Sequence, residues 1–397
     1  MISNRAENLS ESQTLKISGR AKQLAREGVS VISLSAGEPD FKTPAHICNA
    51  AIEAITDGFH GYTMNTGMPE LREAVVNKLK RDNDLTYSAD EIVLSNGAKQ
   101  SIGFSLLATI NLGDEVLIPA PYWVSYPEMV KMAQGTPVPI RTSFADQFKM
   151  TAEQLREHIT PNTKALILCS PSNPTGTCYT LKELKEIANV LREYPDILIF
   201  SDEIYEYIVF NGEHVSILNA APDLQDRTVV INGFSKGFAM TGWRLGYAAG
   251  PKAIISALAK IQSQETSAPS SISQKAGIAA YTGSMAPVSR MRDSFLERRN
   301  YMVKALNEID GVDCFTPSGA FYLFPDIRAF LGKSTPSGST IKTSTDLCLY
   351  LLEDHGVAAV PGDAFGEPGG LRISYASSME QLKEAIQRLS NGFNALT

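Results

Sequence analysis

Apolar positions recur along this chain in two rhythms. Pro69 opens a stretch in which Leu71, Val75 and Leu79 return every fourth residue, and Leu184, Ile187, Ala188 and Leu191 repeat that stripe further on. The spacing predicts amphipathic helices, the first with proline in its opening turn. Between such stretches lie short unbroken apolar runs at 92–94, 116–118, 165–168, 197–200, 229–231 and 247–249. A sheet with one wet face alternates apolar and polar residues, whereas an unbroken run suits a strand covered on both faces. Buried helical turns could mimic any single run. Six of them alternating with helical stretches predict an α/β fold built on a mostly parallel sheet.

The last hundred residues change character. Segments 319–324 and 370–375 read as strands, 346–355 and 381–389 as helices, and 333–340, rich in Ser, Thr, Gly and Pro, as a surface loop. These predict a second, smaller α/β unit. Nothing before Val31 resembles core sheet, so the helical stretch 1–28 is expected to cross over and join it. The expected division is a large domain over 45–290 and a small one made of 1–44 with 291–397. The polar stretch 266–273 is expected to be a loop.

Composition narrows the class of protein. The chain has 397 residues, 43% hydrophobic and 20% charged, close to the averages for a globular protein. A formal net charge of −7 and a pI near 5.4 leave no basic field for nucleic acid or anionic lipid. No apolar run approaches the roughly 20 residues that a membrane helix needs. The first residues lack the apolar core of a signal peptide. Cys48, Cys169, Cys178, Cys314 and Cys348 are odd in number and scattered, so neither a disulfide framework nor a zinc site is expected. A reducing, cytoplasmic setting is expected.

In open α/β sheets, ligands bind beyond the carboxyl ends of the parallel strands. The first run is followed by Ser95-Asn96-Gly97-Ala98-Lys99, and the second by Pro119-Ala120-Pro121-Tyr122-Trp123. The third leads to Ser172-Asn173-Pro174-Thr175-Gly176, the fourth to Ser201-Asp202-Glu203-Ile204-Tyr205, and the fifth to Phe234-Ser235-Lys236-Gly237. Taken singly, each residue has an ordinary reading. Lys236 could be a solvated loop lysine, Asp202 a helix cap, Trp123 core, Asn173 a turn residue and Tyr205 part of a buried helix face. Their joint arrival at one end of the sheet points to a single site.

The chemistry that fits is an imine between a lysine and an aromatic aldehyde cofactor, as in pyridoxal phosphate enzymes. Asp202 would keep the ring nitrogen protonated. Unit charges about 4 Å apart attract by roughly 4 kcal/mol at an effective dielectric near 20, enough to hold that proton at neutral pH. Asn173 and Tyr205 could donate to the ring's phenolate oxygen, and Trp123 could stack on the ring. The phosphate would meet the amides of Gly97, Ala98 and Lys99 at a helix N-terminus, with Ser235 and Arg244 beside them.

Further segments carry a resemblance: Ala36-Gly37-Glu38-Pro39-Asp40-Phe41, Gly61-Tyr62, Tyr122-Trp123-Val124-Ser125-Tyr126-Pro127, Thr241-Gly242-Trp243-Arg244-Leu245-Gly246-Tyr247 and Leu371-Arg372-Ile373-Ser374-Tyr375. With the strand-end motifs, they make the chain closely resemble the class I pyridoxal-phosphate-dependent aminotransferases, in particular bacterial aspartate aminotransferases of the subgroup that is also found in cyanobacteria and thermophiles. The likeness runs from residue 12 to the C-terminus, in family order and spacing. It implies the aspartate aminotransferase fold (fold type I), pyridoxal 5'-phosphate as cofactor and a homodimer. By the same likeness Lys236 holds the cofactor and moves the substrate proton, with Asp202 and Tyr205 as catalytic partners. Tyr62 would reach the phosphate bound by the neighbouring subunit. Arg372 would bind the substrate α-carboxylate, helped by Asn173 and the Gly37 amide. Read alone, Arg372 is an edge residue or salt-bridge partner.

The resemblance also implies that Lys99 meets the side-chain carboxylate of aspartate, with 2-oxoglutarate as acceptor. Relatives that also use prephenate resemble a Lys-Pro-Ser-x-Thr pattern, where this chain reads Ser10-Glu11-Ser12-Gln13-Thr14. That departure favours aspartate over prephenate. Aromatic or alanine aminotransfer, or a β-eliminating lyase on the same fold, are the alternatives. No GxGxxG follows the first strand, which disfavours a nicotinamide oxidoreductase. The five histidines form no ligand-spaced cluster, so no metal is expected.

Overall fold

A computed structural model describes every residue except Ser12, and the side chains of all but Asn4, Gln13, Thr14 and Leu15 besides. The five-residue stretch 10–14, on which the prephenate comparison turns, thus lies partly outside the described residues. Among the described residues there are twelve strands: β1 (Ile32–Ser33), β2 (Ile92–Ser95), β3 (Glu115–Ala120), β4 (Thr136–Arg141), β5 (Thr163–Cys169), β6 (Leu198–Asp202), β7 (Thr228–Gly233), β8 (Gly246–Ala249), β9 (Tyr322–Leu323), β10 (Val357–Ala358), β11 (Val360–Pro361) and β12 (Leu371–Ser374).

Seven of them form the main sheet, in the order β2-β8-β7-β6-β5-β3-β4. β8 runs antiparallel to both neighbours, and the other six point the same way. The unbroken apolar runs have a direct cause. Ile92 and Leu94 enter one core and Val93 the other, and Leu166, Ile199 and Val230 oppose Ala165, Phe200 and Val229 in the same manner. Period-2 alternation between two dry faces leaves no polar position. β4 was not expected. Its sequence, Thr136-Pro137-Val138-Pro139-Ile140-Arg141, carries two prolines, which a strand tolerates at a sheet edge, where β4 lies.

Helix Pro69–Asn83 opens with its proline and ends at Asp84 in the left-handed conformation, and helix Leu181–Glu193 begins with a Thr180/Glu183 capping box. Both bury their apolar stripes against one sheet face. Helices Ala98–Thr109 and Lys252–Glu265 cover the other. The remaining strands pair as β11-β12-β9, antiparallel, and β1-β10, parallel. Around them a separate core joins Ile17, Ala21 and Leu24 of helix Gln13–Arg26 to Phe295, Leu351 and Leu389. The N-terminal helix therefore packs with the C-terminal region. Helices Ser344–His355 and Met379–Asn394 stand where helices were expected, while 319–324 supplies only the two-residue ladder β9. The loop at 266–273 ends early, because Ser270 caps a helix that starts at Ser271.

Candidate active site

The carboxyl ends of β2, β3, β5, β6 and β7 open on one cavity of about 470 Å³. Gly37, Ala98, Lys99, Trp123, Asn173, Asp202, Tyr205, Ser235, Lys236, Arg244 and Arg372 all line it. Because β8 is antiparallel, its amino end lies here too, and it brings Arg244 to the cavity. Gly97 lies just behind this lining, next to Ala98, and Tyr62 stands apart, at 101% relative exposure. A wider surface depression of about 790 Å³ near Arg5 and Lys131 holds none of these residues.

Two glycines behind the cavity wall are required by close approach. Gly97 has φ 84° and ψ 159°, a region essentially reserved for glycine, and a β-carbon there would lie 2.9 Å from the Arg244 guanidinium carbon. A β-carbon on Gly246 would lie 2.5 Å from the Ala98 amide nitrogen. Helix Ala98–Thr109 therefore begins against the start of β8, and no side chain caps it. Arg244, itself left-handed at φ 52°, is fixed by donating to the carbonyls of Thr241 at 2.8 Å and Asn96 at 3.1 Å. Uncapped helix amides, a guanidinium and the buried Ser235 make an anion cradle.

Two titratable groups of opposite charge face the cavity, Asp202 buried and Lys236 half-buried. Asp202 follows from the end of β6 and is 3% exposed. Burial pushes its carboxyl up to about 6, opposed by hydrogen bonds from the Tyr126 hydroxyl at 2.6 Å and the Ile204 amide at 3.2 Å. The segment after it is a tight turn rather than a helix, so Tyr205 projects from a turn. Lys236 donates to the Gly37 carbonyl. Burial brings its ammonium down to about 8, and the charge of Arg372 adds to the effect. Tyr205 shares a 2.9 Å hydrogen bond with Tyr322, and its acidity is suppressed mainly by burial, so it remains a phenol.

Arg372 on β12 is 2% exposed and pairs with no acid among the described residues. It donates to Asn173 Oδ1 at 3.0 Å and to the Ser35 carbonyl at 2.7 Å, and its Nε has no partner. A buried cation without a counter-charge is costly, and this one faces the cavity. Asn173 spends its oxygen on Arg372 and keeps its amide N–H groups for another acceptor. At the rim the Lys99 ammonium lies 4.9 Å from the centre of the Trp123 ring. Enclosure by the cavity walls and the charge of Arg244 lower its pKa.

Three contributors escaped the reading of the sequence as site residues. Tyr126 stands three positions after Trp123, within a motif already singled out, and its partner at Asp202 was the available signal. Tyr322 lies 117 residues from Tyr205, and Ser35 reaches Arg372 through its carbonyl, so neither carries a local signal.

The family model described as "Aminotransferase class I and II" matches residues 29–389. The chain belongs to that family of pyridoxal-phosphate-dependent aminotransferases, and it has the aspartate aminotransferase fold. It is 48% identical over 393 residues to the aspartate/prephenate aminotransferase of Nitrosomonas europaea, covering 98% of this chain and 99% of that one. It superposes on the aspartate aminotransferase of Rhizobium meliloti with a TM-score of 0.97 at 46% identity, covering 100% of both chains. For the Thermus thermophilus aspartate aminotransferase with maleate, the TM-score is 0.92 at 39% identity, with 98% and 99% covered.

The residues present fit the cofactor. The uncapped amides and Arg244 suit a phosphate, Asp202 a ring nitrogen, Tyr205 and the amide of Asn173 a phenolate oxygen, and Lys236 an aldehyde carbon. No helix among the described residues is long and apolar enough to cross a membrane.

Proposed function

We infer that the protein transfers the amino group of L-aspartate to 2-oxoglutarate, giving oxaloacetate and L-glutamate in two half-reactions. The observation that carries this reading is Arg372, a buried arginine without an acid partner in a cavity that also holds Lys99. Two cations set apart on different elements match the two carboxylates of a dicarboxylic amino acid. The bound molecule in the Thermus structure, maleate, is a four-carbon dicarboxylate like aspartate.

Pyridoxal phosphate supplies, when bound, an aldehyde that carries the amino group and a ring that accepts the electron pair released at Cα. Arg372, oriented by Asn173 and Ser35, holds the α-carboxylate. Lys99 holds the distal one. Lys236, with a pKa brought down to about 8, takes the proton from the substrate Cα near neutral pH. Asp202 keeps the ring nitrogen charged, Tyr205 and Asn173 donate to the phenolate, Trp123 covers the ring, and Gly97, Ala98, Lys99, Ser235 and Arg244 hold the phosphate.

The working form in this reading is a homodimer. Tyr62 is fully exposed beside Met64, and Ile52 and Ile55 are exposed on helix Ala45–Thr56. Such exposed apolar side chains suit a second copy, whose site Tyr62 would enter. The two separate cores support a large unit over 45–290 and a small one from 1–44 and 291–397.

Donor profiling against a fixed oxo acid tests the substrate. Aspartate and glutamate are expected to exceed alanine and aromatic donors in kcat/KM, and a dominant neutral donor would refute the reading. Prephenate as acceptor is the second reading, carried by the name of the Nitrosomonas relative. Ser10 and Glu11 weigh against it, and a prephenate rate equal to that with 2-oxoglutarate would establish it. Release of ammonia from aspartate, or of pyruvate and ammonia from cysteine, with no oxo acid present would instead identify a lyase.

A further inference from the structure

Tyr126 is 2% exposed in the first turn of helix Ser125–Met132. Its ring packs among Val130, Ile167 and other members of one sheet-face core, where phenylalanine would serve equally well. The hydroxyl is the part that needs explaining. A buried hydroxyl is costly unless it is bonded, and this one donates to Asp202 Oδ2 at 2.6 Å, within the range of a charge-assisted bond. The Ile204 amide grips the other carboxylate oxygen at 3.2 Å. The same Tyr126 ring meets Trp123 edge-on, with centroids 5.3 Å apart and planes at 89°.

We propose that Tyr126 is a positioning residue that holds the Asp202 carboxylate ionised and oriented for the cofactor's ring nitrogen while bracing Trp123 above the same site. The inference rests on the assignment of Asp202 to that nitrogen. Four titratable groups face Asp202. Tyr126 comes from the helix and Cys169 from β5, directly across the ladder, while Glu203 sits on its own turn and Lys236 follows β7. Burial and Glu203 favour the neutral acid, whereas Tyr126 and Lys236 favour the carboxylate. Glu203 is itself engaged by Ser201, Ser216 and His214, at 2.8, 2.6 and 2.9 Å. Tyr126 has its own acidity suppressed by burial and by Asp202, so it stays a donor across the working range. Removing its hydroxyl leaves the Ile204 amide and the charge of Lys236 against the full cost of burial. The carboxyl then takes up a proton at higher pH, and the ring nitrogen loses its counter-ion.

The test uses Tyr126→Phe holoenzyme, which keeps the ring against Trp123 and deletes one oxygen. The readout is the rate at which cofactor is lost on dilution, followed by absorbance between pH 6 and 9, beside wild type, Asp202→Asn and the double variant. Tyr126→Phe is expected to lose cofactor about tenfold to a hundredfold faster near pH 7, and the difference should shrink as the pH rises. In the Asp202→Asn background the second substitution should add little, since no charge remains to be held. Faster loss that is the same at every pH, or equally large in the Asp202→Asn background, would show a merely structural hydroxyl and overturn the inference. Unchanged loss in Tyr126→Phe, with faster loss in Asp202→Asn, would overturn the inference alone. Unchanged loss in Asp202→Asn would overturn both it and the role given to Asp202.

Discussion

Asp202 sits in water-poor surroundings with its carboxyl raised from 3.8 to about 6. The sign of the linked stability follows. The folded form binds a proton more readily than the unfolded chain between those values, so Asp202 destabilises the fold fully above about pH 6 and ceases to do so below 3.8. The cost is of the order of 3 kcal/mol for this nearly inaccessible group. Enzyme stripped of cofactor should therefore gain stability on acidification from pH 7.5 to pH 5. In Asp202→Asn that gain should shrink, and the variant's Tm at pH 7.5 should exceed wild type while its hold on the cofactor weakens. Calorimetry of both stripped proteins across this range checks it, and parallel pH profiles would remove Asp202 as the source. At the rim, Lys99 has the opposite burden, since an apolar substrate leaves its ammonium without an anion. Lys99→Ala should lower kcat/KM for aspartate about ten- to a hundredfold while sparing an aromatic donor. An equal fall on both donors would implicate its backbone neighbourhood at the phosphate instead, and no fall on either would mean that another residue reads the distal carboxylate.

At the scale of elements, the site is a set of loops at the carboxyl ends of the main sheet's parallel strands, joined by Arg372 from β12, and a tight joint in it is the start of helix Ala98–Thr109. Gly97→Ala would force a β-carbon into a backbone region that costs roughly 1–3 kcal/mol and against the Arg244 guanidinium. Lower thermal stability together with faster cofactor loss is expected, and normal cofactor retention would show that Arg244 can withdraw without consequence. The same scale explains what could be read in advance. Strands β2, β3, β5, β6, β7 and β8 were legible because each is buried on both faces and leaves an unbroken apolar signature. β4 was not, because edge position permits the prolines that erase the signature. Lys236, Asp202 and Asn173 were legible as strand-end residues without knowledge of pairing. Tyr322 and the carbonyl of Ser35 were not, since their roles exist only once β12, β9 and the segment after β1 converge on Arg372.

For the whole molecule, the exposed tyrosine decides the question. Tyr62 does not line the cavity of its own chain, and it is exposed, as are Met64, Ile52 and Ile55 nearby in the sequence. In the proposed homodimer, each Tyr62 would enter the other copy's site. Complementation separates that arrangement from a solvent-exposed side chain of no consequence. Tyr62→Ala dimers have Lys236 but lack the donated phenol at both sites, and Lys236→Ala dimers have the phenol but lack the lysine at both. A mixed dimer contains one site with Lys236 from the first chain and Tyr62 from the second. Random exchange makes half of the dimers mixed, so about a quarter of all sites should be whole. Mixing the two variants under conditions that allow subunits to exchange should raise activity towards that fraction of wild type. The rise should track the appearance of mixed dimers in native mass spectra. Activity that stays at the average of the two parents, with mixed dimers present, would show that Tyr62 acts within its own chain or not at all.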